Sequence, residues 1–104
     1  MTKAILVSAI VLSTASVAFA QSEGEAIYKA KCQMCHGATG NGDSPAGRTM
    51  KVKPFSDPEV TKLSETAMVD IAMNGQNKMP AFKGKLTDDQ IKDVVAYIHT
   101  LLKK

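Results

Sequence analysis

A chain of 104 residues with a net charge of +3 and no tryptophan holds one small domain, and no second domain is visible. No dense basic stripe with interleaved aromatics exists, so nucleic acid is not the expected partner. A domain of this size buries a modest core, and with so few aromatics a large flat cofactor would fill the missing interior.

The N-terminus opens with Lys3, an apolar run over 4–12, and small residues ending Val17-Ala18-Phe19-Ala20. This is the pattern of a secretory signal peptide, with cleavage expected after Ala20. Ser8, Ser13, Thr14 and Ser16 interrupt a stretch already short for spanning a bilayer, and no cysteine follows the cut to carry a lipid. The expected division is therefore a leader over 1–20 and a folded domain over 21–104.

Ser22-Glu23-Gly24-Glu25 has the form of a capping box, which predicts a helix from about 23 to 32. That helix leads into Cys32-Gln33-Met34-Cys35-His36, which uses both cysteines of the chain and one of its two histidines. The spacing is the attachment signature of a c-type haem: both thiols add to the vinyl groups, and the adjacent histidine ligates iron. Three other readings of the motif are weaker. A thioredoxin-type redox pair would follow a strand, whereas a helical segment precedes Cys32. A zinc site would need a fourth ligand, and only His99 remains as a nitrogen donor. A disulfide across two residues would be strained and would stabilise little.

From Gly37 to Pro58 the glycines and prolines leave no helical or alternating period, which predicts a long wrapped loop. Ser64 is placed to cap a helix over 65–74, with Met68, Ile71 and Ala72 on one face and Gly75 as its stop. A loop through Met79-Pro80 follows. Thr87-Asp88-Asp89-Gln90 then forms a second capping box, with Leu86 and Ile91 as its hydrophobic staple. The last helix should reach Leu102 with Ile91, Val94, Val95, Ile98 and Leu102 buried.

For the iron face opposite His36 the candidates are Met50, Met68, Met73, Met79 and His99. His99 reads as a surface residue on the polar face of the last helix, and Met68 as core. Met73 stays open near the end of its helix. Met79 has the best context, because Pro80 stiffens the backbone directly after it and lets a turn present the thioether at low entropic cost.

With these motifs in place the chain resembles the class I c-type cytochromes. The resemblance spans the whole segment after the leader: an N-terminal helix, Cys32 to His36, a Gly/Pro-rich loop, Met79-Pro80-Ala81-Phe82 and a C-terminal helix. It implies an all-α cytochrome c fold of three to four helices and long loops wrapped around one covalently attached haem. It also implies that the terminal helices cross at Gly24, with Tyr28 and Tyr97 packed there, and that a proline carbonyl, here Pro45, accepts the Nδ1–H of His36.

The expected site is Cys32 and Cys35 holding one haem c, with His36 and Met79 as the iron ligands. Such an iron has no open position, and its soft thioether favours the reduced state. The expected function is electron transfer in the periplasm by a soluble monomer, not an enzyme, without stable membrane insertion. Lys29, Lys31, Lys78, Lys83 and Lys85 offer a positive rim for acidic redox partner proteins. The alternative is a haem enzyme or a ligand-binding sensor with a labile sixth ligand. An enzyme would need a distal acid or base, and Arg48 and His99 are the sole spare candidates.

Overall fold

The structure, a computed structural model, describes residues 22–102 and is all-α; among them only isolated bridges, at Gln76 with Met79 and Lys83 with Leu86, interrupt helix and loop. The leader expected over 1–20 lies outside the described residues. The first helix, α1, runs over 22–36: α-helical residues 22–27, a π turn at Tyr28–Cys32, and a last α turn at Gln33–His36. It therefore carries the cysteine motif inside the helix instead of ending at it. Ser22 is itself helical, so it does not occupy the cap position expected for it.

The stretch read as one long loop contains two short helices, α2 at Pro45–Met50 and α3 at Pro58–Thr61. Both are opened by local chemistry. Ser44 accepts from the Gly47 amide and Asp57 from the Glu59 amide, each with proline at the first helical position, where a missing N–H costs nothing. Helices this short show no hydrophobic period.

The other two helices match their expected bounds. α4, Glu65–Asn74, is capped by the Ser64 side chain on the Ala67 amide and stops at Gly75, whose φ of +76° suits glycine. α5, Asp88–Leu102, opens on a reciprocal capping box: the Thr87 amide donates to Gln90 Oε1 at 2.9 Å and the Gln90 amide to Thr87 Oγ1 at 3.1 Å.

α1 and α5 meet at Gly24. A Cβ built there would run into the Asp93 carbonyl oxygen and lie 3.0 Å from Tyr97 Cβ. Tyr28, fully buried one turn on, packs tilted against Tyr97 with ring centroids 5.4 Å apart. The crossing expected from Gly24, Tyr28 and Tyr97 is present. The buried side chains then divide into two clusters. Ile27, Tyr28, Phe55 and Val94 form one, with Cys32 packed on its edge. Ala72, Phe82 and Ile91 form the other, with Met73 and Met79 packed on it.

Candidate cofactor site

An α-helix ends with four carbonyls that have no partner in the helix, and the end of α1 satisfies all of its own. Gln33 O accepts from the Gly37 amide at 2.8 Å and His36 O from the Gly42 amide at 2.7 Å. Met34 O and Cys35 O accept from the Ser44 hydroxyl at 2.6 and 3.2 Å. The buried Tyr28 hydroxyl adds a bond to Gly37 O at 2.5 Å. Tyr28→Phe should therefore destabilise the protein by about 1 kcal/mol, the net worth of a hydrogen bond, as measured by chemical denaturation.

Cys32 and Cys35 are both half-buried and form no disulfide. Burial first, and then the neighbouring Cys35, push the Cys32 thiol up to about 11. A thioredoxin-type cysteine needs the opposite shift, which a helix N-terminus supplies, and Cys32 sits towards the C-terminal end of α1. No group of three His, Cys, Asp or Glu side chains among the described residues is placed to hold a metal ion, which leaves zinc without a ligand set.

The His36 ring stacks on Phe55, centroids 4.9 Å apart and planes 23° from parallel. Burial holds its pKa below the usual histidine range, which favours the neutral imidazole, the form that ligates metals. Its Nδ1 is buried with no hydrogen-bond partner among the described residues. The expected bond to Pro45 is not made: Pro45 opens α2, and its carbonyl accepts from Thr49 Oγ1 at 3.0 Å on the exposed side. Phe55 was not singled out by the sequence. An aromatic directly after Pro54 was the available signal.

Met79 lies in a turn closed from both sides, its amide donating to Gln76 O at 2.9 Å and its carbonyl accepting from the Gln76 amide at 3.1 Å. A Cβ on Gly75 would lie 2.7 Å from Met79 O and 2.9 Å from the Ala81 amide, so only glycine lets this turn close. Met73 packs on the same cluster, but from inside α4. Met68 is buried core, as expected, and Met50 ends α2. His99 departs from its reading as a surface residue: it is half-buried, and its Nε2 is buried without a hydrogen-bond partner among the described residues. The neighbours Val95, fully buried, and Ile98, packed on the first cluster, draw this turn of α5 inward.

This donor set fits a covalently bound haem. The Cys32 thiol and the Phe55-stacked imidazole border one apolar cluster, a thioether borders the other, and Cys35 lies in the same turn as His36. Comparison with known proteins agrees. The family described as cytochrome c oxidase, cbb3-type, subunit III, matches residues 19–98. The chain belongs to the class I c-type cytochromes. It is 37% identical to a cytochrome c6 of Thermosynechococcus vestitus over 91% of this chain and 80% of the relative. To a cytochrome c6 of Synechococcus elongatus it is 36% identical, over 74% and 85% of the two chains. The solved c-type cytochrome KustC0563 superposes with a TM-score of 0.68 at 29% identity, covering 75% of this chain and 95% of that one. As a member of the family this cytochrome carries covalent haem c and is an electron carrier, not an enzyme. Among its described residues no helix is long and apolar enough to cross a membrane.

Proposed function

We propose that this cytochrome is a soluble, monomeric periplasmic electron carrier in which Cys32 and Cys35 bind one haem c and His36 and Met79 ligate its iron. The observation that carries the reading is the divided core. Cys32 and the Phe55-stacked His36 border one apolar cluster and Met79 borders the other, so thiol, imidazole and thioether all lie beside apolar surface that a haem would cover, with His36 and Met79 as the residues that would ligate its iron. Bound haem c supplies the one-electron ferric/ferrous couple.

The residues of the chain do the rest. Burial favours the uncharged His36 ring, the form that ligates metals, and the closed turn at Met79 leaves the backbone around its thioether little to reorganise between oxidation states. An iron held by both His36 and Met79 would have no position left for substrate, which suits a carrier. Lys29, Lys31, Lys78, Lys83 and Lys85 are all exposed and flank the two segments, a positive rim suited to an acidic partner; only Lys29 among them has an ion-pair partner in the described residues, Glu25 at 3.0 Å. That exposed pair leaves the charge pattern little changed.

Denaturing electrophoresis of the periplasmic fraction, followed by haem staining, tests attachment and location together. A stained band of the mature size is expected, and Cys35→Ala should reduce it sharply. A colourless band, haem removed by acid acetone, or a stained product confined to the membrane fraction would overturn the reading. The ferric optical spectrum tests the ligands: low spin with a methionine-sulfur charge-transfer band is expected, and high spin would return the open-iron alternatives.

A further inference from the structure

One hydroxyl joins α1 to α2. Ser44 Oγ accepts the Gly47 amide at 3.0 Å, the ordinary act of an N-cap. The same oxygen donates to Met34 O at 2.6 Å and lies 3.2 Å from Cys35 O, both inside the attachment motif. A serine hydroxyl has one proton, so Met34 O takes the main share and Cys35 O the lesser. Capping α2 requires only the acceptor; aspartate or asparagine would do that equally well. The donor side of Ser44 therefore needs a separate account.

The His36 ring supplies it. A metal-bound histidine is commonly aimed by a hydrogen bond from its second ring nitrogen, which fixes the tautomer and the plane. The His36 ring is stacked on Phe55 on one side and is carried by the backbone at the end of α1. That backbone begins at the Cys35 carbonyl, whose peptide contains the His36 amide. Its direction is set by the bonds at the end of α1, and the Ser44 hydroxyl provides those to Met34 and Cys35.

We propose that Ser44 is a positioning residue for the haem-attachment turn: the proton it donates to the Met34 and Cys35 carbonyls fixes the peptide bearing His36, and through it the plane of the imidazole. The proposal rests on the reading of His36 as an iron ligand. The hydroxyl touches neither the ring nor iron and acts only through the main chain.

The test compares the haem-loaded parent with Ser44→Thr, Ser44→Asp and Ser44→Ala. Threonine keeps donor and acceptor, aspartate keeps the cap acceptor but has no proton to give at neutral pH, and alanine loses both. Two readouts respond to position instead of overall stability. The first is amide hydrogen exchange at Gly37, whose N–H bonds Gln33 O across the same turn. It should quicken about tenfold or more in Ser44→Asp and Ser44→Ala while amides in α4 and the middle of α5 stay at parental rates, since local opening is separable from global unfolding. The second is the spread of the haem-methyl proton resonances in the ferric protein, which depends on the imidazole plane and should change in the same two variants. Ser44→Thr should restore both.

Parental exchange at Gly37 together with a parental methyl pattern in Ser44→Asp would overturn the proposal and leave Ser44 a helix cap alone. Should Ser44→Ala fail to mature, the comparison of aspartate with threonine still decides. A parental spectrum without shifted His36 ring and methionine methyl signals would instead defeat the ligand reading, and Gly37 exchange would still report on the clamp.

Discussion

Met79→Ala is expected to abolish the methionine-sulfur charge-transfer band of the ferric protein, to let exogenous imidazole bind iron readily, and to lower the reduction potential. Met73→Ala should leave all three near the parental values. Both methionines pack on the Ala72, Phe82 and Ile91 cluster, so proximity alone does not choose between them. Presentation does. Met79 sits in a turn bonded to Gln76 in both directions, with Asn77 in the left-handed region at φ +55° and Pro80 following, whereas Met73 is fixed by the helical geometry of α4. Removing a soft thioether takes away the ligand that stabilises the reduced iron, and water is a poor substitute for it. Ferric absorbance in the near infrared, imidazole titration and voltammetry of the pair of variants are the measurements. A band lost in Met73→Ala and kept in Met79→Ala would reverse the assignment.

Gly24→Val should destabilise the protein markedly, and Gly24→Ala should do so as well. On an exposed helix the alanine change would instead stabilise by up to about 1 kcal/mol through propensity. The built Cβ at Gly24 meets the Asp93 carbonyl oxygen, lies 2.9 Å from the carbonyl carbon and 3.0 Å from Tyr97 Cβ, so the obstacle is mainly backbone of α5 and cannot swing aside. Overpacking of this kind costs typically 1–3 kcal/mol, a large part of the roughly 5–15 kcal/mol that holds a domain folded. Denaturant titration of both variants reads the sign. Alanine equal to or better than glycine would mean that α1 and α5 do not press together at this point.

The residues that announced themselves in the sequence are those whose chemistry is local. Thr87 with Gln90, and Ser64 with Gly75, carry their bonding partners within a few positions, and the observed caps are the expected ones. The attachment motif is equally local, and the α5 crossing at Gly24 was implied by the resemblance to the class I c-type cytochromes that the motif brought with it. What could not be read depends on partners far along the chain or on hydrogen-bond register. The bond from Ser44 to Met34 spans ten positions, and the stack of Phe55 on His36 has no periodic trace. The fate of the Pro45 carbonyl followed from Ser44-Pro45 opening a helix, a signal present in the sequence but submerged among the surrounding glycines. His99 looked polar by its place on the helix, yet burial is decided by what packs against that turn, which periodicity in one helix does not contain.

The π turn at Tyr28–Cys32 closes with the Gln33 amide on Tyr28 O, one residue more than an α turn would hold. Each residue advances an α-helix by roughly 100°, so the two ends of α1 are out of phase by about that angle. The end bearing Gly24 and Tyr28 is keyed to α5, and the other end carries the attachment motif with Cys35 and His36. Converting the π turn to α geometry with every residue kept would leave a continuous helix with its thiols and imidazole swung by about 100°, whereas deleting one residue together with the π turn would return them to their present bearing. A graft of the attachment motif onto another helix must therefore carry residues 24–36 as a single indexed part, because the five-residue signature alone does not transmit its own bearing.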